Sequence, residues 1–115
     1  LIRKNYLADS YRREALAWLK QVLNSPTEAQ VRQLPALLKK VALIAYKRSE
    51  IARKSGAEWE RWLDQQCPQS HFSGSCANVL YQLSYAPKID INSTEVQLLM
   101  QEITTWIQYH GKQHD

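Results

Sequence analysis

Asn92-Ser93-Thr94-Glu95-Val96-Gln97-Leu98-Leu99-Met100-Gln101-Glu102-Ile103-Thr104-Thr105-Trp106-Ile107 is the stretch whose reading decides the fold. Val96, Leu99, Met100, Ile103, Trp106 and Ile107 recur at steps of three and four, which lays one apolar stripe along a helix. The hydroxyls and carboxylate ahead of Val96 suit a helix start, and Gly111 just beyond the stripe suits a helix end. Asn92-Ser93-Thr94 also fits a glycosylation pattern, but capping explains the same residues and nothing else indicates secretion. A helix this one-sided must bury its stripe against other elements of the chain.

Moving outward, the same period recurs. Residues 5–23 place Leu7, Tyr11, Ala15, Trp18, Leu19 and Val22 on one stripe, with Arg12, Arg13 and Lys20 on the other faces. Ser25-Pro26-Thr27-Glu28 reads as a helix start with a serine cap, a first-turn proline and Glu28 closing a capping box. Pro35 lacks an amide hydrogen, so a short helix ends before it and a second runs over residues 35–46 with Leu34, Leu37, Leu38, Val41, Ile44 and Ala45 inward. Residues 48–54 form a short basic turn stopped by Ser55-Gly56. The pattern Ser55-Gly56-Ala57-Glu58 then launches a helix to about Gln66 bearing Trp59, Trp62 and Leu63, closed by Pro68. Residues 67–75 are loop chemistry, and residues 76–84 resume a short helix with Leu80 and Leu83. Lys88-Ile89-Asp90-Ile91 alternates too briefly to build a sheet. The expectation is an all-α, orthogonally packed bundle of about five to six helices, forming one domain over residues 1–115.

The 115 residues, 44% apolar and 23% charged, exclude a disordered tail or a fibre. A domain of this size buries roughly 65% of its unfolded surface and needs no metal or disulfide to fold. The longest apolar run, Val41 to Tyr46, is far below the ~18 residues of a membrane span. With Leu at position 1 and the only Met at position 100, the chain reads as a soluble portion of a longer coding sequence. Its net charge of +4 conceals a division: residues 1–55 carry +8 and residues 56–115 carry −4. The positive half suits anionic lipid, nucleic acid, an acidic protein surface or plain water.

No catalytic or cofactor motif emerges. Cys67, His71 and Cys76 fall short of a four-ligand zinc pattern, and two free thiols are expected in a reducing compartment, although a disulfide is open in an oxidising one. Ser73-Gly74-Ser75 could cradle a phosphate, but capping accounts for it, and His71 beside Ser73 lacks an orienting third group. Trp18, Trp62 and Trp106 belong to apolar stripes. Trp59 shares that face, yet it follows the cluster of Lys47, Arg48, Arg53 and Lys54, and these five residues are the expected partner-binding surface. The alternative is a nucleic-acid-binding module using Lys39, Lys40, Lys47, Arg48, Arg53 and Lys54. An enzyme is a third reading, and it requires a pocket gathering His71 or Asp64 with another titratable group.

Tyr11-Arg12-Arg13-Glu14-Ala15-Leu16, Leu34-Pro35-Ala36-Leu37-Leu38-Lys39-Lys40-Val41-Ala42-Leu43, Arg48-Ser49-Glu50-Ile51-Ala52, Gly56-Ala57-Glu58-Trp59 with Trp62-Leu63-Asp64, Tyr85-Ala86-Pro87 and Trp106-Ile107 occur in this order. In that order the chain resembles the bacterial domain of unknown function 4381 (DUF4381) family. The resemblance implies a membrane-spanning helix upstream, then a basic stretch and a helical domain, with genes beside those of a MoxR-type AAA+ ATPase and von Willebrand A domain proteins. It brings no catalytic residues and no cofactor. On that basis Arg3, Lys4, Arg12 and Arg13 are a cytoplasmic basic flank at the inner membrane, and anionic lipid orients the bundle. The expected function is a non-enzymatic, membrane-tethered adaptor whose partners are the ATPase and von Willebrand A proteins.

Overall fold

The computed structural model describes residues 2–111, with side chains from residue 9 onward. Leu7, Arg3 and Lys4 therefore lie outside the described side chains. Helices α1 (Ile2–Asn24), α2 (Glu28–Arg32), α3 (Leu34–Ala45), α4 (Arg48–Ile51), α5 (Gly56–Gln66), α6 (Val79–Tyr85) and α7 (Thr94–Tyr109) follow one another, and no strand occurs among the described residues. The molecule is an all-α bundle in which α3 packs against α1, α6 and α7, while α1 and α6 also touch α7. No helix among the described residues is long and apolar enough to cross a membrane.

The stripe of α7 is buried at all six positions, and Ala15, Leu19 and Val22 of α1 meet the same core. On α3 the buried set is Leu34, Leu38, Val41 and Ala42; Ile44 and Ala45 are only half-buried, because the stripe turns toward Ala42 as α3 crosses its three neighbours. Pro35 sits in the first turn of α3, where its missing amide hydrogen has no intrahelical role.

Two helix starts depart from the sequence expectation. The cap of α2 is Thr27, not Ser25: its Oγ1 accepts from the Gln30 amide at 3.2 Å while its own amide donates to the Gln30 side chain at 3.3 Å. Glu28 is thereby freed to pair with Arg32 at 3.1 Å. Ser55 occupies the cap position of α5 but its side chain makes no capping hydrogen bond. At the last helix Ser93 caps as expected, accepting from the Val96 amide at 3.2 Å.

Helix C-termini are closed by side chains from distant parts of the chain. Arg12 was expected on an outer face of α1; instead its guanidinium donates to the Ile107, Gln108 and His110 carbonyls at 2.8, 3.1 and 3.3 Å, leaving the side chain 12% exposed. These carbonyls have no partner within α7 and carry its negative dipole end, so a cation is favoured there. Arg32 does the same for α6, donating to the Leu83 carbonyl at 3.1 Å.

Replacing Thr27 by Ala should destabilise the domain by about 1 kcal/mol, and Ser55→Ala should change stability by less than about 0.5 kcal/mol. Urea denaturation of the two variants checks this: equal losses would mean that both serine/threonine starts are capped alike.

Candidate functional site

Helix α5 positions everything near the expected partner-binding residues, and large aromatic side chains hold it. Trp62 meets Tyr46 edge-on with ring centroids 5.0 Å apart and lies 6.4 Å from Trp106. The Trp106 indole N–H donates to the Leu63 carbonyl at 2.8 Å, and the Gly111 amide donates to Gln66 at 3.1 Å. Gly111 makes that contact with φ of 73°, and a Cβ there would approach the Tyr46 hydroxyl at 3.3 Å. Tyr46 also shares a 3.1 Å hydrogen bond with His110, and burial pushes its phenol up to about 12.

The acidic residues of α5 organise the loop that follows. The Asp64 carboxylate accepts from the Ser70 hydroxyl at 2.7 Å, the Phe72 amide at 2.9 Å, the Ser73 amide at 2.9 Å and the Ser73 hydroxyl at 2.7 Å. Glu102 of α7 accepts from the His71 amide, with the His71 ring 3.7 Å away. Glu60, only 6% exposed, accepts from the Asn78 amide at 2.7 Å. Asn78 holds a left-handed φ of 69° and is the N-cap of α6, so Glu60 fixes the residue that turns the chain into that helix. Burial pushes the Glu60 carboxyl up, with the Asn78 amide pulling partly the other way.

This arrangement corrects one expectation about the loop. The donors around Ser73 surround an internal carboxylate and do not cap a helix, since α6 begins only at Val79. Asp64 is engaged there, while the neighbouring His71 is exposed. Cys67 and Cys76 are buried free thiols, and burial raises both above the ordinary cysteine range. Among the described residues no group of three or more His, Cys, Asp or Glu could hold a metal ion.

Against this frame lies a cleft of about 380 Å³ between α3, α5 and α6. Its walls include Lys39 from α3, Lys54 and Trp59 around the start of α5, and Tyr81 and Tyr85 from α6. Lys54 and Trp59 are thus brought together, whereas Lys47, Arg48 and Arg53 stand outside the cleft as an exposed basic turn leading to it. Trp59 is 8% exposed: it stacks on Trp62 at 5.4 Å, with the Lys39 ammonium 4.2 Å above its ring, and contributes to the cleft as a wall of the core. Burial lowers the Lys39 pKa below the ordinary lysine value. None of Lys39, Lys47, Arg48, Arg53 or Lys54 forms an ion pair among the described residues.

The family model for a domain of unknown function, DUF4381, matches residues 1–109. The chain belongs to the DUF4381 family. No curated protein and no solved structure matches it. In this DUF4381 domain the sequence reading missed Tyr81 and Tyr85, which are 58% and 72% exposed with ring centroids 4.8 Å apart. Their signal is two tyrosines four residues apart, off the Leu80 and Leu83 stripe of a short helix.

Replacing Asp64 by Ala removes the acceptor for two amides and two hydroxyls and should destabilise the domain by about 2 kcal/mol, measurable by urea denaturation; a neutral result would show that water replaces the carboxylate without loss. For Glu60 the linkage runs in the opposite sense to an ordinary ion-paired carboxylate. Its folded pKa lies above the usual 4.5, so the folded state binds more protons and stability falls as pH rises from about 4.5 through the raised value. Melting temperatures across that interval should show this component in the native protein and lose it in Glu60→Gln, whose amide oxygen can still accept from Asn78.

Proposed function

We propose that this DUF4381 domain is a non-enzymatic protein-docking module. In the full-length protein it is tethered at the bacterial inner membrane, faces the cytoplasm, and joins a MoxR-type AAA+ ATPase to von Willebrand A domain proteins. The observation that carries the docking reading is the run of cations at Lys47, Arg48, Arg53 and Lys54, none of them ion-paired among the described residues, ending at a cleft with exposed tyrosines in its wall. Arginine and tyrosine are enriched among the residues that anchor protein interfaces, and Arg48, Arg53, Tyr81 and Tyr85 supply both here. Of the two groups that the enzyme reading names, the Asp64 carboxylate is engaged by the loop and His71 is exposed, lining neither cleft wall. The tether, the cytoplasmic side and the two partners follow from the family resemblance. Near anionic lipid, each suitably placed Lys or Arg of the basic turn would add on the order of 1 kcal/mol.

The nucleic-acid alternative draws on the same cations but finds less to stack on. The Trp59 π-system is already engaged by Trp62 and Lys39, and Lys40 lies 5.6 Å over the Tyr11 ring. Single-strand binding by stacking needs aromatic faces open to successive bases, and the exposed pair, Tyr81 and Tyr85, is tilted by 47°.

Co-purification of the full-length protein from its native host, with mass spectrometry of what is retained, tests the proposal. Recovery of the ATPase or a von Willebrand A protein is expected, and several-fold lower recovery with the Arg48→Glu, Arg53→Glu double variant. Stability of the isolated domain should change by less than about 0.5 kcal/mol, since both side chains are exposed. Recovery of neither partner, or a loss of stability matching the loss of binding, overturns it.

A further inference from the structure

The cleft between α3, α5 and α6 has chemistry of its own. Its cationic side is set by Lys39 and Lys54, neither of which has a carboxylate within ion-pairing distance among the described residues. Lys39 lies against Trp59, partly withdrawn from water, so an incoming anion would meet an ammonium that is poorly hydrated and already positioned. Glu60 is the acidic group of the walls, and its carboxylate is directed to the Asn78 amide. The apolar side is set by Pro35, Leu80 and the Tyr81–Tyr85 pair, the two tyrosines being the most exposed large hydrophobic residues among the described ones. A volume of about 380 Å³ accommodates an aromatic side chain and its flanking backbone.

We infer that this cleft receives a short acidic segment of a partner protein, seating one aromatic anchor against Tyr81 and Tyr85 and placing its carboxylates on Lys39 and Lys54. The inference rests on the docking reading above and names the chemistry that reading leaves open. Charge decides the occupant: two cations with no counter-ion among the described residues stand in a wall whose one carboxylate is committed to Asn78, so a basic or neutral peptide gains nothing at Lys39. Geometry favours a peptide over nucleic acid. The tyrosine rings pack on each other at a 47° tilt, and successive bases would have no flat face to follow.

The test is titration of the purified domain with acetyl-Asp-Glu-Phe-Asp-Glu-amide at low salt, followed by amide chemical shifts. Acetyl-Lys-Lys-Phe-Lys-Lys-amide, octathymidylate and phosphatidylserine vesicles run in parallel. Saturable shifts clustered at Lys39, Lys54, Gly56, Tyr81 and Tyr85 are expected with the acidic peptide alone, weakening as salt rises. The Tyr81→Ala, Tyr85→Ala double variant should bind about tenfold more weakly, and so should Lys39→Gln. Both variants should keep dispersed native spectra, because the altered side chains are exposed or half-exposed. Absence of saturation, equal binding of the basic peptide, tighter binding of octathymidylate or vesicles, or shifts clustered elsewhere would each overturn the inference. Should peptide binding fail while co-purification retains the ATPase or a von Willebrand A protein, the cleft assignment falls and the docking function stands. The converse pair of results removes the partners and keeps the cleft.

Discussion

The buried hydrogen bond from the Trp106 indole to the Leu63 carbonyl governs how the rest of the molecule is assembled. It ties the middle of α5 to the core face of α7, at a place where neither group could find water. With α5 so placed, Trp62 fills the space toward Tyr46, and Glu60 and Asp64 reach the loop that follows. That loop delivers Asn78, Asn78 starts α6, and α6 carries the tyrosine wall of the cleft. A side-chain-to-backbone contact between residues 43 positions apart thus decides where Tyr81 and Tyr85 stand.

The lopsided charge along the chain takes on a different meaning once the contacts are known. Much of the acidic half serves the fold: Asp64, Glu102 and Glu60 accept from loop amides, in the way that a bound anion would. Two arginines of the basic half are likewise internal, since Arg12 and Arg32 satisfy the carbonyl ends of α7 and α6. Arg12 therefore does not serve as the lipid-facing flank that its position in the sequence suggests. Among the described residues, the cations of that half that remain outward are Arg13, Lys20 and Lys40 on α1 and α3 and the Lys47, Arg48 and Arg53 turn, with Lys54 half-buried at the mouth of the cleft.

Legibility followed the range of the interaction. The α7 stripe was readable at every position because helical periodicity is local, and the short α2 ahead of Pro35 was readable because a missing amide hydrogen is local too. The caps were half-readable: Ser25, Thr27 and Ser55 offer similar hydroxyls, and only the backbone path decides which one reaches an amide. Arg12 could not be placed, since the carbonyls it serves lie about 95 residues away and carry no residue signature. At the candidate site, Lys54 and Trp59 were named together from their proximity in sequence. Lys39 was named as a binding residue only in the nucleic-acid reading, and neither tyrosine of α6 was named as one, since the fold of α6 onto α3 and α5 that makes them a wall is not local in sequence.

Asn78 gives the tyrosine wall an unusual foundation. A seven-residue helix has little stability of its own, so the orientation of α6 is held from outside: by packing on α3 and α7, by Arg32 on its Leu83 carbonyl, and at its start by one amide captured by a carboxylate on the opposite wall. The two sides of the cleft are therefore fastened to each other from beneath. Any occupant that bridges them would stiffen the loop below, and loosening of the loop would in turn weaken the grip on the occupant, a reciprocity that thermodynamics requires of linked equilibria.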